Sequence, residues 1–168
     1  AGRISDAAMA VELMLAEDAK TVREYTERLC EINRQRQVEE NQIATQAYEM
    51  LEATDAYDND KVIVLAHDSW QQGIIGIVSS RVTEKYGLPS ILISFDGVQG
   101  LYASPDDPGK GSGRSVKGLN LVHALTACDD LLVKFGGHEL AAGFTVYTDR
   151  LEDFTLSINN QAGYARFS

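Results

Sequence analysis

The sequence predicts an α/β fold, in which a small mixed β-sheet is flanked by helices and preceded by a long N-terminal connector helix. Two observations support this prediction. The first sixty residues have apolar positions at helical spacing, with no Pro or Gly between residues 3 and 61. After residue 60, short β-branched runs alternate with a glycine-bounded helical segment. We therefore assign residues 1–60 to an interdomain helical connector and residues 61–168 to a compact α/β domain.

The N-terminal third is predicted to be helical. Ser5 or Asp6 supplies an oxygen that can cap the first turn, and apolar residues recur at helical spacing from there to about residue 51. A break near residues 17–19 divides the segment into a short helix and a long one, at about residues 20–53. Because the long helix is rich in charged residues, we interpret it as a connector between two bodies. Packing of this helix on its own domain is the alternative.

The remaining two thirds alternate between strand and helix patterns. The β-branched runs at residues 61–66 and 90–95 are typical of buried strands. The helical segment between them, residues 73–86, ends at Gly87 and Pro89. Such a strand–helix–strand unit predicts two parallel strands. Further along the chain we predict a strand at 98–103, a turn at 105–108, an extended segment at 111–115, a helix at 119–127, a strand at 143–147 and a closing helix at 151–161.

The formal net charge of −10 is concentrated in the N-terminal third. Residues 1–60 contain 6 Lys or Arg and 14 Asp or Glu, whereas residues 61–168 contain 9 and 11. Between residues 109 and 138 the local balance is positive. Because binding depends on the local field rather than on net charge, this composition is compatible with a nucleic-acid ligand.

Several classes of protein are disfavoured by the sequence. No apolar run approaches the roughly 18 to 20 residues of a membrane span, and no basic-then-apolar leader opens the chain. Cys30 and Cys128 are far apart, which indicates neither a disulfide framework nor a metal site, and the three histidines lack ligand spacing. No nucleophile elbow is visible. We expect a cytoplasmic chain with no membrane partner and no metal ligands of its own.

Two glycine-rich stretches indicate contacts with an anion. In residues 70–81, WQQGIIGIVSSR, a helix opens after a strand, so its first amides can receive an anion; close packing of its glycines on a sheet is the alternative. In residues 109–115, GKGSGRS, alternating glycines would leave the backbone uncovered, and the guanidinium of Arg114 matches a phosphate. A flexible turn with a surface arginine is the alternative there.

The third stretch, residues 135–144, places paired glycines before a histidine. Gly136 and Gly137 expose their amides beside the imidazole of His138. Together these groups can grip a phosphate oxygen, with His138 as a donor or proton shuttle. A structural histidine is the alternative.

Taken in order, these stretches resemble the DHH phosphoesterase superfamily, and in particular the DHH-associated C-terminal domain of RecJ-like exonucleases. The resemblance covers nearly the whole chain, because residues 1–7 resemble the end of a catalytic DHH domain and the long helix resembles the connector that follows it. The glycine–glycine–histidine stretch is the most specific part. Two departures are visible: Gln71 stands where RecJ proteins commonly have a histidine, and residues 98–110 are longer than usual.

The resemblance implies a division of labour between two domains. A DHH domain, whose motif is not in this sequence, would hold Mn or Mg ions, and residues 61–168 would be the DHH-associated substrate-binding domain facing it. This chain would need no cofactor of its own. His138 is implied as the catalytic residue, at the scissile phosphate. The implied substrate-binding residues are Arg81, Ser112, Gly113, Arg114, Ser115, Gly136 and Gly137.

The implied function is that of a 5′-to-3′ single-stranded DNA exonuclease, a hydrolase of DNA repair and recombination. This chain would grip single-stranded nucleic acid and would be inactive by itself. Two alternatives stay open: a phosphodiesterase of the same superfamily acting on cyclic dinucleotides or short oligoribonucleotides, and a stand-alone nucleic-acid-binding module. The pattern at residues 70–81 favours the RecJ type, and residues 1–7 argue against a stand-alone module. Trp70 is expected to pack in the core rather than to stack on a base.

Overall fold

The computed structural model describes residues 8–54, 60–98 and 104–163. The chain divides into two compact units, residues 1–42 and residues 43–168. Within the described ranges, none of the helices combines the length and the apolar character that crossing a membrane requires.

The described residues form five α-helices and five β-strands. The helices are α1 (Ala8–Leu15), α2 (Ala19–Thr54), α3 (Gln72–Tyr86), α4 (Leu121–Thr126) and α5 (Leu151–Ala162). The strands are β1 (Ile63–His67), β2 (Ser90–Ser94), β3 (Pro108–Arg114), β4 (Lys134–Gly137) and β5 (Ala141–Tyr147).

The first unit consists of α1 and the beginning of α2. The break predicted at residues 17–19 is confirmed, because α2 starts directly after Asp18. The Asp18 carboxylate accepts a hydrogen bond of 2.9 Å from the Thr21 amide, which satisfies a free donor of the first turn. Hydrogen bonds from Thr21 also hold the pKa of Asp18 below its ordinary value. The cap predicted at Ser5 or Asp6 lies outside the described residues.

The end of α2 belongs to the second unit. Its inward positions are buried and apolar: Ile43, Ala44, Ala47 and Leu51. On the same stretch, the Gln46 side-chain carbonyl accepts a hydrogen bond of 2.9 Å from the indole N–H of Trp70. This end of the long helix therefore packs on its own domain, which was the alternative to a pure connector. The domain boundary predicted between residues 60 and 61 stays a prediction.

A five-stranded mixed sheet with the order β1-β2-β3-β5-β4 forms the centre of the second unit. β1 and β2 are parallel, as the strand–helix–strand pattern predicts, and α3 connects them. The other three pairings are antiparallel. β3 is therefore a central strand, and β1 and β4 are the two edges.

The two faces of the sheet are covered differently. One face packs on α4 and α5 and forms an apolar core that includes Ile91, Phe144 and Phe154. We call it the core face. On the opposite face, α3 packs against β2 and β3, whereas Gly143 of β5 and Gly136 of β4 are exposed. We call this second face the open face, because its β5–β4 half is accessible.

The predicted fold class is confirmed, including the small mixed sheet, the flanking helices and the long N-terminal helix. The helix at α3 ends where predicted, with Gly87 in a left-handed conformation at a φ of 67°. β4 was missed. The strand predicted at residues 98–103 falls largely on residues outside the described ranges, so it stays a prediction.

Candidate functional site

β3 alternates between glycines on the core face and polar side chains on the open face. Gly109, Gly111 and Gly113 are core-facing: added β-carbons would lie 2.6 Å from Phe95 Cζ at Gly109 and against the Phe144 ring at Gly111. Lys110, Ser112 and Arg114 are half-buried on the opposite side. The expectation that these glycines uncover the backbone for a ligand is wrong, because β5 pairs with the whole of β3 and β2 pairs with Lys110–Arg114. The glycines instead let large core side chains approach the strand.

A row of three residues without bulky side chains forms the middle of the open face. Ser112 of β3 is paired with Gly143 of β5, which is paired with Gly136 of β4. A β-carbon added at Gly136 would meet nothing within 4 Å, and one added at Gly143 would meet only the Gly111 carbonyl oxygen at 3.5 Å. These two glycines therefore face open space, in contrast to the three glycines of β3.

This row forms the floor of a cleft of about 430 Å³. Gln72 and Ile75 of α3 line one side of it, and Lys134 of β4 lines it at the far strand. The described residues that line it include two lysines and no Asp or Glu, in a chain with 25 acidic residues. Because Gln72 is the first residue of α3, the partial positive charge of a helix N-terminus adds to the two ammonium groups. The cleft is therefore suited to an anion.

Arg114 lies beside the floor and is held by its own strand. One guanidinium nitrogen, Nη1, donates to the Gly113 carbonyl at 2.8 Å and to the Ser112 hydroxyl at 3.3 Å. A β-carbon at Gly76 of α3 would be 3.0 Å from Arg114 Nη2 and 2.9 Å from Ser112 Oγ. The absence of a side chain at Gly76 therefore makes room for both groups.

Buried hydroxyls fix α3 against the sheet next to Arg114. The Ser90 hydroxyl lies 3.0 Å from the Ser79 hydroxyl and 2.8 Å from the Thr83 hydroxyl. Thr83 also donates to the Arg114 carbonyl at 3.4 Å. Since buried polar groups are costly unless they are paired, this network holds α3 at one distance from β2 and β3.

We expect Gly76→Ala to preserve the fold and to weaken anion binding by about fivefold or more. The added methyl group displaces only the ends of flexible side chains, and alanine favours a helix by roughly 0.5 to 1 kcal/mol over glycine. Displaced Arg114 and Ser112 can no longer converge on a ligand. Thermal unfolding and a binding titration with a phosphorylated oligonucleotide measure the two effects. Gly73→Ala, at an exposed position on the same helix, is the control. Equal binding by the Gly76 and Gly73 variants would contradict the claim that Gly76 makes room for Arg114 to bind the ligand.

His138 lies at the end of β4, in a tight hairpin. Its amide donates to the Ala141 carbonyl at 2.7 Å, and Ala141 is paired with Arg114 across β5 and β3. The turn is anchored at both of its central residues, because the Glu139 and Leu140 carbonyls accept hydrogen bonds from the Leu121 and Ser115 amides. The backbone of His138 therefore lies next to Ala141, which in turn lies next to Arg114. The side chain of His138 is exposed.

Gly137 is required for the backbone of this hairpin. Its φ of 151° lies in the region that residues with a side chain rarely adopt. An added β-carbon would also meet the backbone of Ala141 and Ala142. Gly137 thus sets the position of His138, whereas Gly136, two positions before His138, leaves the cleft floor open.

The remaining predicted site residues are not all at the cleft. Gly113 is buried on the core face, where an added β-carbon would lie 2.8 Å from Leu121 Cδ2. The Ser115 hydroxyl donates to the Leu119 carbonyl at 2.8 Å, so it stabilises the loop that follows β3. Arg81 is half-buried on α3. Trp70 is fully buried, which confirms the expectation that it packs in the core.

Sequence reasoning missed Lys110, Lys134 and Thr145 as cleft residues. Lys110 has a local signal, because it alternates with Gly109 and Gly111 and thus shares a face with Ser112. Lys134 and Thr145 have none, since the pairing of β4 with β5 brings them together. No group of three or more His, Cys, Asp or Glu side chains in the described ranges is arranged to hold a metal ion.

Comparison with known proteins identifies the family. Residues 59–163 match the DHHA1 domain, and the chain belongs to this family. Within it, the chain is similar to RecJ. It is 33% identical over 161 residues to the single-stranded-DNA-specific exonuclease RecJ of Bacillus subtilis and 34% identical over 160 residues to that of Dickeya dadantii. These alignments cover 96% and 92% of this chain. The resemblance drawn from the sequence is thereby confirmed.

Comparison with solved structures also shows similarity to RecJ proteins. A crystal structure of RecJ from Thermus thermophilus in complex with Mg²⁺ superposes with a TM-score of 0.79 at 30% identity, covering 99% of this chain and 24% of that one. A crystal structure of exonuclease RecJ bound to manganese gives the same TM-score and identity, with 38% of that chain covered. The chain spans only 19% and 26% of the two curated relatives. It therefore corresponds to one part of these larger proteins.

Proposed function

We propose that this chain is the substrate-binding part of a RecJ-like single-stranded DNA exonuclease, and that its cleft holds the phosphates of a single strand. The observation that carries the proposal is the floor formed by Ser112, Gly143 and Gly136, whose two glycines are exposed and which is flanked by Lys110 and Lys134. Among the described residues that line the cleft there is no carboxylate. A phosphate backbone needs both features, since it has to approach closely and it has to be neutralised. The similarity to RecJ, a single-stranded-DNA-specific exonuclease, supports single-stranded DNA as the ligand.

In this proposal Arg114 and Ser112 bind a terminal phosphate. A guanidinium offers donors in a planar fork that matches phosphate oxygens, and hydrogen bonds to Gly113 and Ser112 already hold this one in place. Because the side chain is ordered before the ligand arrives, little rotamer entropy is lost on binding. Arg81 is not among the described residues that line the cleft, so its contact with the strand stays a prediction of the sequence.

His138 acts at the scissile phosphate, where Gly136 leaves the cleft floor open and Gly137 fixes the backbone of His138. The Gly136 amide, which the sequence predicts to be exposed, lies in the β4–β5 ladder opposite Gly143. Its exposed imidazole at the tip of a fixed hairpin can donate a proton or a hydrogen bond to a phosphate oxygen once a second wall closes the cleft. Mn or Mg ions held by a separate DHH domain would activate water for hydrolysis. Because this proposal assigns the metal ions to the DHH domain, we expect no hydrolysis by this chain alone. The whole protein would be a hydrolase of DNA repair and recombination.

A titration by fluorescence anisotropy tests the proposal. We expect the chain to bind a 5′-phosphorylated single strand more tightly than a duplex or a cyclic dinucleotide, and to leave the strand intact when Mn²⁺ is added. The variant Arg114→Ala/His138→Ala should bind at least tenfold more weakly, and the slope of log K against log salt should fall by about 0.7 for each phosphate that the variant no longer neutralises. The matched control Arg150→Ala/His123→Ala removes the same residue types from exposed positions elsewhere and should bind like the wild type.

Three outcomes of this titration count against the proposal. Preference for the cyclic dinucleotide would favour a signalling phosphodiesterase of the same superfamily. Equal binding by the site variant and by its control would show that the strand is bound elsewhere. Strand cleavage by the purified chain would contradict the division of labour between the two domains.

A further inference from the structure

We propose that Lys110, Lys134 and Thr145 form a second phosphate subsite, at the end of the cleft opposite Arg114, and that it binds an internucleotide phosphate of the same strand. This inference rests on the proposed function, because it assigns a further contact to the same cleft. It names the residues that determine how far along the strand the cleft extends.

The three residues lie in one row across the sheet. Lys110 of β3 is paired with Thr145 of β5, and Thr145 is paired with Lys134 of β4. The Lys110 ammonium donates to the Thr145 hydroxyl at 3.0 Å. The hydrogen bond directs Lys110 across β3 toward β5, and Lys134 lines the cleft from β4, on the other side of Thr145. The two lysines therefore lie on either side of Thr145 on the open face.

The two lysines at this end of the cleft are positively charged and lie on the same face of the sheet. Neither Lys110 nor Lys134 forms an ion pair with any residue in the described ranges. Lys110 and Lys134 are two strand spacings apart, about 10 Å between their backbones, so their mutual repulsion is modest and a phosphate between them can interact with both. Thr145 is almost fully buried, so the hydroxyl holds Lys110 in place before a ligand arrives.

The distance between the two ends of the cleft suits a single strand. Lys110 and Arg114 face the same side of β3 and are four residues apart, which corresponds to about 13 Å along the strand. A stacked single strand advances by about 3.4 Å per nucleotide, and an extended one by more. The two subsites are therefore no more than about four nucleotides apart. The floor formed by Ser112, Gly143 and Gly136 lies between them and accommodates the intervening backbone.

A length series of 5′-phosphorylated oligothymidylates, from one to eight nucleotides, tests this inference on the complete chain. For the wild type we expect affinity to rise in a step once a strand reaches both subsites, at no more than about five nucleotides. For Lys110→Gln/Lys134→Gln the step should disappear, while the affinity for the mononucleotide stays unchanged. With the longest strand, the salt slope should fall by about 0.7, the value for one phosphate, which corresponds to roughly fivefold weaker binding at about 0.1 M salt relative to 1 M.

The matched control is Lys20→Gln/Lys61→Gln, which makes the same charge change at two exposed lysines outside the cleft. It should keep the step and the salt slope. Thermal unfolding of the ligand-free cleft variant should match that of the wild type, because a binding role does not require the lysines for folding.

The outcomes separate this inference from the proposed function. If the cleft variant loses affinity for the mononucleotide as much as for the long strand, the lysines supply a general positive field and the second subsite is refuted. If the step survives in the cleft variant, the second phosphate is bound elsewhere. If the wild type binds no strand in the series, the proposed function fails, and this inference fails with it.

Discussion

Gly143→Val is expected to weaken single-strand binding by about 100-fold, or roughly 2.7 kcal/mol at 25 °C, while leaving the fold intact. Gly143 is an exposed glycine in the middle of β5, and its β-carbon would meet only the Gly111 carbonyl oxygen, at an ordinary contact distance of 3.5 Å. A valine there fills the floor of the cleft, so that a phosphate can no longer approach the sheet. Valine also favours strands over glycine, so the free energy of unfolding should stay equal or rise by up to about 1 kcal/mol.

A graded series at Gly143 makes this result specific. The variants Gly143→Ala, Gly143→Val and Gly143→Leu add increasing volume at one position, so affinity for a 5′-phosphorylated strand should fall in that order. Urea unfolding checks the stability of each variant. If the three variants keep both the stability and the affinity of the wild type, the strand does not lie on this floor.

Gly111→Ala is expected to destabilise the chain by about 3 kcal/mol or more, because the added methyl group runs into the ring of Phe144. Phe144 is buried and packs on Phe154, with ring centroids 4.9 Å apart, so it has little room to move. Gly111 is also in a central strand, where β3 cannot shift without disturbing β2 and β5. Urea unfolding followed by circular dichroism measures the decrease in stability.

Gly136→Ala is the control for Gly111→Ala, because it makes the same chemical change on the opposite face. Nothing lies within 4 Å of the added methyl group, so the free energy of unfolding should change by no more than about 0.5 kcal/mol. Equal stability of the two variants would contradict the assignment of glycines to the core face and to the open face, on which the cleft depends.

Much of the fold could be predicted because its signals are local. β1, α3 and β2 have β-branched runs, a helical period and a left-handed glycine stop within a few residues of one another. β4 has no such signal, because two of its four residues are glycines and only Phe135 favours a strand. It is a strand because β5 pairs with it. Local patterns cannot reveal an element of that kind.

The candidate site was predictable in part for the same reason. Arg114, Ser112 and the Gly136–His138 segment stand out in the sequence. The structure places Ser112 and Gly136 in the cleft floor and Arg114 beside it. The purpose of the β3 glycines was misjudged, because the approach of Phe95 and Phe144 to the strand is a tertiary contact. Lys134 was missed for a similar reason: its neighbours Thr145 and Lys110 are distant in sequence.

The most direct test of the account is a ¹⁵N-labelled NMR titration of the chain with a short 5′-phosphorylated oligothymidylate. If the open half of the sheet binds phosphate, saturable amide shifts should cluster on Ser112, Gly143 and Gly136, and extend to Lys110 and Arg114 at the two ends. For Gly143→Val, the same shifts should need about 100-fold more oligonucleotide. Shifts confined to the α4–α5 side of the sheet, or to α1 and α2, would contradict the assignment of the cleft as the binding site.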